Sequence, residues 1–166
     1  MVQNDFFNNE EDLVLDLTKK QNNYFDSQGA ELLAKSFFSY YKCEVFSAPE
    51  SNLVDFLIKH NDKYIGIQVK SSSYRKKENV YKFETRRKNI SYRTNGSKVL
   101  SGWKNYPYKD VQIFVFVAND IRKIYLEIND ESKKTLRLKR EDFLKFEENE
   151  EYFIKQIMSS LDLNGL

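Results

Sequence analysis

Two short apolar runs joined by a polar turn constrain this chain more than any other feature. Leu53–Ile58 reads as one strand and Tyr64–Lys70 as the next, with His60-Asn61-Asp62 supplying turn chemistry between them. A two-residue loop at Asn61-Asp62 sets His60 opposite Lys63 and Asp55 opposite Gln68. Opposite residues, and residues two apart on a strand, share a face, so Asp55, Gln68 and Lys70 converge on one patch. The spacing alone also fits the solvent face of any amphipathic hairpin. Both runs are nevertheless apolar on either side of the polar residues, which predicts a central, buried hairpin. Charged side chains are seldom buried there without a partner or a metal. A carboxylate, an amide and an ammonium gathered on such a patch suit a metal site for phosphodiester chemistry.

A helix precedes this hairpin. Between Gly29 and Tyr41, Ala30, Leu33, Ala34, Phe37 and Tyr41 recur at helical spacing and make a core-facing stripe. Asp26 or Ser27 is placed to cap its start, with Phe25 packing below. Glu31 lies beside the stripe in the first turn, where a carboxylate also suits the helix dipole. That position is ordinary for an acid in isolation. Next to the hairpin the same position becomes suggestive.

The order helix Glu31, strand Asp55, then Gln68-Val69-Lys70 resembles the PD-(D/E)xK nuclease superfamily. Gly29-Ala30-Glu31 and Glu44-Val45-Phe46, a first strand, complete the likeness over 29–73. It is similar to archaeal-type Holliday junction resolvases, and more so to intron-encoded homing endonucleases of this fold. Tyr81–Arg86 resembles the strand that follows the active site, Val111–Val117 the next core strand, and Ile124–Ile128 the strand that closes the sheet. The chain departs from the pattern twice: Val54 stands where the name has proline, and Gln68 replaces the usual Asp or Glu.

The resemblance implies an α/β fold, a restriction-endonuclease-like mixed β-sheet core flanked by helices. It implies one domain over 1–166, with the core at about 25–130 and a helical extension over about 131–166. The implied cofactor is Mg²⁺, with Mn²⁺ able to substitute. Asp55, the Gln68 amide oxygen and the Val69 backbone carbonyl are the implied ligands, and Glu31 would act through a water or a second ion. Lys70 would orient the attacking water or stabilise developing negative charge. The implied activity is endonucleolytic hydrolysis of double-stranded DNA, site-specific in the homing manner, with a junction resolvase or a restriction enzyme as alternatives. Cutting both strands requires two sites, so a homodimer or higher homo-oligomer is expected. Because Gln68 brings no charge, a catalytically inactive nucleic-acid-binding protein is the rival from another class.

Charge segregation bears on the partner. From Lys70 to Asp110, twelve lysines and arginines stand against three acids, a net of +9. The rest of the chain has fifteen against twenty-two, a net of −7. That asymmetry is the footprint of a polyanion-binding face, or else of a surface for an acidic protein partner. Its candidate DNA contacts are Ser72, Arg75, Lys76, Lys77, Arg86, Arg87, Lys88, Arg93, Lys98 and Lys104. Arg86, Arg87 and Lys88 are expected on phosphates, Arg93 and Lys98 on bases. Tyr74, Tyr81, Tyr92, Trp103, Tyr106 and Tyr108 interleave with them. The region reads as extended strands suited to a groove-entering ribbon, with a turn at Asn95-Gly96-Ser97 and an irregular loop from Gly102 to Pro107.

The remaining features frame the reading. At 166 residues, with 40% hydrophobic and 15% aromatic residues, the chain is long and apolar enough for a real core. The single cysteine, Cys43, excludes an internal disulfide and fits a reducing cytoplasm. The longest apolar stretch, Val111–Ala118, is strand-sized, so no membrane span is expected. Asp5, Glu10, Glu11 and Asp12 make the start too acidic for a signal or transit peptide. Asp12–Lys20 is expected to form an accessory helix, and Leu136–Leu138 an edge strand. Glu141–Leu161 reads as helical, broken at Asn149, with an apolar surplus suited to the sheet or to a subunit interface.

Overall fold

The computed structural model describes residues 26–48, 53–92, 94 and 97–163. The expected accessory helix at Asp12–Lys20, Phe25 below the next helix, Arg93 and the Asn95-Gly96 turn lie outside the described residues, while Asp26 and Ser27, the expected caps, are themselves helical.

Helix α1 covers 26–40. Strands β1 (Glu44–Ser47), β2 (Phe56–His60), β3 (Lys63–Ser72), β7 (Ile113–Ala118) and β8 (Lys123–Ile128) form a five-stranded sheet in the order β1-β2-β3-β7-β8. The β3–β7 pair is parallel and the other three are antiparallel. β4 (Tyr81–Glu84) pairs with β9 (Thr135–Leu138), and β5 (Arg86–Tyr92) with β6 (Lys98–Asn105), each as a separate two-stranded sheet. Helices α2 (Arg140–Glu148) and α3 (Glu150–Leu163) complete the order. The fold is thus a mixed sheet flanked by helices, as expected. Among the described residues no helix is long and apolar enough to cross a membrane.

The central strand explains the layering. All six residues of β7 are buried, so both of its faces must be covered. Ile113, Val115 and Val117 pack with Ala30, Ala34 and Phe38 of α1 and with Ile154, Ile157, Met158 and Leu161 of α3. Phe114, Phe116 and Ala118 turn the other way, against Tyr81 and Phe83 of β4, Leu138 of β9 and Phe143 of α2. The apolar C-terminal helix therefore packs on the sheet. Phe38 is fully buried while Phe37 is half-buried, so the expected helical stripe is rotated toward Phe38.

The hairpin register is the expected one, with His60 opposite Lys63 and Phe56 opposite Ile67. Asn61 and Asp62 both have positive φ, 48° and 61°, as a type I′ loop requires. Strand β2 starts at Phe56 rather than Leu53, because past that point the Asp55 side chain takes over the pairing.

Two expectations on the basic region are corrected. Tyr81–Arg86 is not one strand: at Thr85 the backbone N–H donates to the Lys134 carbonyl and the hydroxyl to the Lys133 carbonyl, 2.6 Å, and the chain changes partner from β9 to β6. Gly102–Pro107 is not an irregular loop, since 102–105 belong to β6. Gly102, at φ 134°, adjoins a register shift opposite Asn89/Ile90, so this glycine marks a bulge within the ribbon. Asn149 does separate two helices, its N–H donating to the Phe146 carbonyl and its side-chain amide to the Lys145 carbonyl.

Candidate active site

Asp55 sits where β2 separates from β3. Its own N–H donates to the Ile67 carbonyl at 2.8 Å, holding the last rung of the ladder. Beyond it, Oδ2 accepts from the Val69 N–H and from Gln68 Nε2, both at 2.6 Å. The carboxylate thus satisfies a backbone donor that a longer β2 would have satisfied with a carbonyl. Gln68 is only 8% exposed.

A cleft of about 280 Å³ opens over this junction, lined by Ser27, Ala30, Glu31, Asp55, Gln68, Val69, Lys70 and Ser71. All four expected catalytic residues, Glu31, Asp55, Gln68 and Lys70, therefore face one space. The start of α1 brings Glu31, and β3 brings the other wall. Glu31 is ion-paired to Lys35 one turn on, at 2.7 Å. The Lys35 ammonium also lies 5.7 Å from the Phe56 ring centre.

Burial pushes the Asp55 carboxyl above the usual aspartate range, and the Glu31 charge adds to the effect. The Val69 N–H, the Lys70 ammonium and the Gln68 amide act in the opposite sense without cancelling it. Asp55 is therefore a carboxylate short of positive charge, which a cation would correct.

The oxygen set matches a hard divalent ion: two carboxylates, a carbonyl and an amide line the cleft. Among the described residues no group of three or more His, Cys, Asp and Glu side chains is placed to hold a metal. Any ion here would consequently keep several waters, as Mg²⁺ does. The orientation of the Gln68 amide bears on the ligand set. The Gln68 amide turns its nitrogen, not its oxygen, to Asp55, and the same NH₂ lies 3.3 Å from the Val69 carbonyl oxygen. Two of the expected ligand oxygens thus share one amide donor, and presenting the Gln68 oxygen requires the amide to turn over.

Lys70 is held by a residue that the sequence did not connect to the site. Its Nζ donates to the Tyr106 hydroxyl at 2.7 Å and lies 4.6 Å from that ring's centre.

The expected DNA contacts spread from the cleft onto the ribbon. Ser72 ends β3, and its hydroxyl donates to the Ser73 carbonyl. Arg75 is paired with Glu78 at 3.1 Å, while Lys76 and Lys77 are exposed on the turn between them. Arg86 is committed within the protein: its Nε and Nη2 contact the two Glu84 oxygens at 2.7 and 3.2 Å, and its guanidinium sits 5.1 Å from the Trp103 ring centre. Arg87 lies directly opposite Lys104, and its Nε is buried with no hydrogen-bond partner among the described residues. Lys88, opposite Trp103, is exposed, as are Lys98 and Lys104. Like charges facing each other across a ribbon are unfavourable until an anion intervenes.

The architecture is a mixed α/β fold, a five-stranded sheet flanked by helices, with the cleft at the point where β2 leaves β3. No family profile and no curated protein matches the chain. Among solved structures, a bacterial homing endonuclease, I-Ssp6803I, aligns with a TM-score of 0.55 at 18% sequence identity, covering 66% of this chain and 72% of that one. At that identity the likeness is one of fold.

Proposed function

We propose that this chain is a metal-dependent DNA endonuclease of the homing type. The observation that carries the reading is the single cleft into which Glu31, Asp55, Gln68 and Lys70 are brought from α1, β2 and β3. The fold shared with a homing endonuclease supports it, and so does the basic ribbon that follows Lys70 in the chain.

Asp55, the Val69 carbonyl and a turned Gln68 amide would hold Mg²⁺ or Mn²⁺, with Glu31 reaching it through water or a second ion. The bound cation would supply Lewis acidity toward the scissile phosphate and acidify a water. Lys70 keeps a fixed positive charge in the cleft, where it orients the nucleophilic water or stabilises charge growing on the phosphate. Neither His60 nor Cys43 has a part in this chemistry: His60 flanks the hairpin turn and Cys43 is partly buried against the core. The β5–β6 ribbon would enter the major groove with Lys88, Lys98 and Lys104 as exposed cations. Cutting both strands calls for a homodimer or higher oligomer.

One observation favours a second reading. The residue beside Asp55 in the cleft is Gln68, a neutral amide that donates to Asp55 and adds no negative charge with which to hold a cation. A DNA-binding protein without catalysis would be built in this way.

A mixed pool of long duplexes and synthetic four-way junctions, incubated with Mg²⁺, Mn²⁺ or chelator, separates the readings. Discrete metal-dependent fragments from the duplex support the homing-type reading. Cutting confined to junctions identifies a resolvase instead. Binding to both substrates with no cutting in either metal identifies the non-catalytic binder.

A further inference from the structure

Lys70 feels the nearby Asp55 charge but makes no close ion pair among the described residues; its ammonium is bound by Tyr106, which lies 36 residues on in the chain. The Tyr106 side chain is unusually well fixed for a residue between strands. It is 7% exposed, and its ring meets Phe114 edge-on with centres 5.6 Å apart. Its carbonyl accepts from the Nδ2 of buried Asn129 at 2.9 Å, and the same amide nitrogen holds the Val111 carbonyl at 2.8 Å. Pro107 follows, restricting Tyr106 to extended backbone. The Pro107 carbonyl then closes the next turn by accepting from the Asp110 and Val111 N–H groups, both at 3.0 Å.

These contacts leave Tyr106 little freedom, whereas lysine has four flexible bonds and a strongly hydrated head. We propose that Tyr106 is the positioning residue of the site, fixing the Lys70 ammonium at the cleft wall through its hydroxyl oxygen. The choice of partner fits the task. A carboxylate in this place would neutralise Lys70, whereas a phenol accepts one N–H, leaves the charge intact and leaves the two other N–H donors for a phosphate or a water. The ring face adds a second attraction to the same cation. The catalytic consequence rests on the nuclease reading; the contact itself does not.

The test uses the full chain carrying Tyr106→Phe, which keeps the buried ring and removes only the oxygen. Order parameters of the Lys70 side chain, from NMR of isotope-labelled lysine, are compared between wild type and variant. The expected result is an ordered Lys70 in wild type and a mobile one in Tyr106→Phe, with unchanged thermal melting as the control for fold. With a cleaved duplex in hand, kcat should fall on the order of tenfold to a hundredfold with KM unchanged, the range for losing a hydrogen bond to a charged group. In a Lys70→Ala background the same substitution should have no further effect. A Lys70 that is equally ordered with and without the hydroxyl overturns the proposal, and so do independent effects of the two substitutions on kcat. If wild type cuts no DNA while Tyr106→Phe frees Lys70, the positioning contact stands and the nuclease reading falls.

Discussion

Gly66 offers the sharpest test of how the site's scaffold is packed. It faces the Asp110 backbone, and a Cβ at this position would lie 2.0 Å from the Asp110 carbonyl oxygen and 2.7 Å from Val54 Cγ1. Ordinary contact begins near 3.4 Å, so Gly66→Ala requires a retreat of about 1.4 Å by one side. The Asp110 carbonyl cannot yield cheaply. It belongs to the turn closed by Pro107, and the next residue, Val111, is fully buried. The Gly66 strand cannot yield cheaply either, because its N–H donates to Gln112 Oε1 at 2.5 Å and its carbonyl accepts from the Gln112 N–H at 3.0 Å. Overpacking a core costs about 1–3 kcal/mol. Losing two internal hydrogen bonds adds about 1 kcal/mol each. The expected destabilisation is therefore about 3–5 kcal/mol, a fall in Tm of roughly 10 °C for a domain of this size. Urea and thermal unfolding followed by circular dichroism measure it. A loss below about 0.5 kcal/mol would refute the reasoning, since it would mean that β3 and the 107–112 turn are not in contact as described.

Three further outcomes follow from the same geometry. Asp55 has its folded-state pKa raised, chiefly by burial, so its protonated form is favoured by folding and the stability it contributes is lost as pH rises through that raised value. Asp55→Asn should thus raise Tm at neutral pH while abolishing any metal-dependent activity, and the gain should vanish below the ordinary aspartate range; a destabilised variant at pH 7 would contradict the assignment. Asn129→Ala strands the Tyr106 and Val111 carbonyls and the Glu131 N–H, all now bonded to the Asn129 amide, and should cost about 2–4 kcal/mol in chemical denaturation. Replacing both Lys88 and Lys104 with Ala should lower the slope of log affinity for duplex DNA against log salt by about 2, with little change in melting; an unaltered slope would remove the β5–β6 ribbon from the interface.

The part of this architecture that local chemistry controls was legible in the sequence. A two-residue Asn-Asp loop fixes register at once, and the register alone puts Asp55 opposite Gln68. The apolar run at β7 read as a core strand, and Asn149 announced the break between α2 and α3. What escaped was set by partners distant in the chain. Tyr81, Phe83 and Thr85 are all buried and alternate without interruption, so nothing in the pattern marks the change of partner at Thr85. Gly102 and the polar residues after it suggested a loop because a bulge and a turn use the same residue types. In the Phe37-Phe38 pair either ring suits the stripe, and only packing against Phe56 chooses Phe38. The four cleft residues were found from order and spacing, but the Lys70–Tyr106 contact has no periodicity to betray it.

The central claim is that the cleft at Asp55 is a nuclease site. Wild type and Asp55→Ala, matched for folded fraction, would be compared on the same duplex in Mg²⁺, with binding followed in parallel by mobility shift. The account predicts metal-dependent cutting by wild type alone and equal duplex affinity for both. Cutting retained by Asp55→Ala would contradict it.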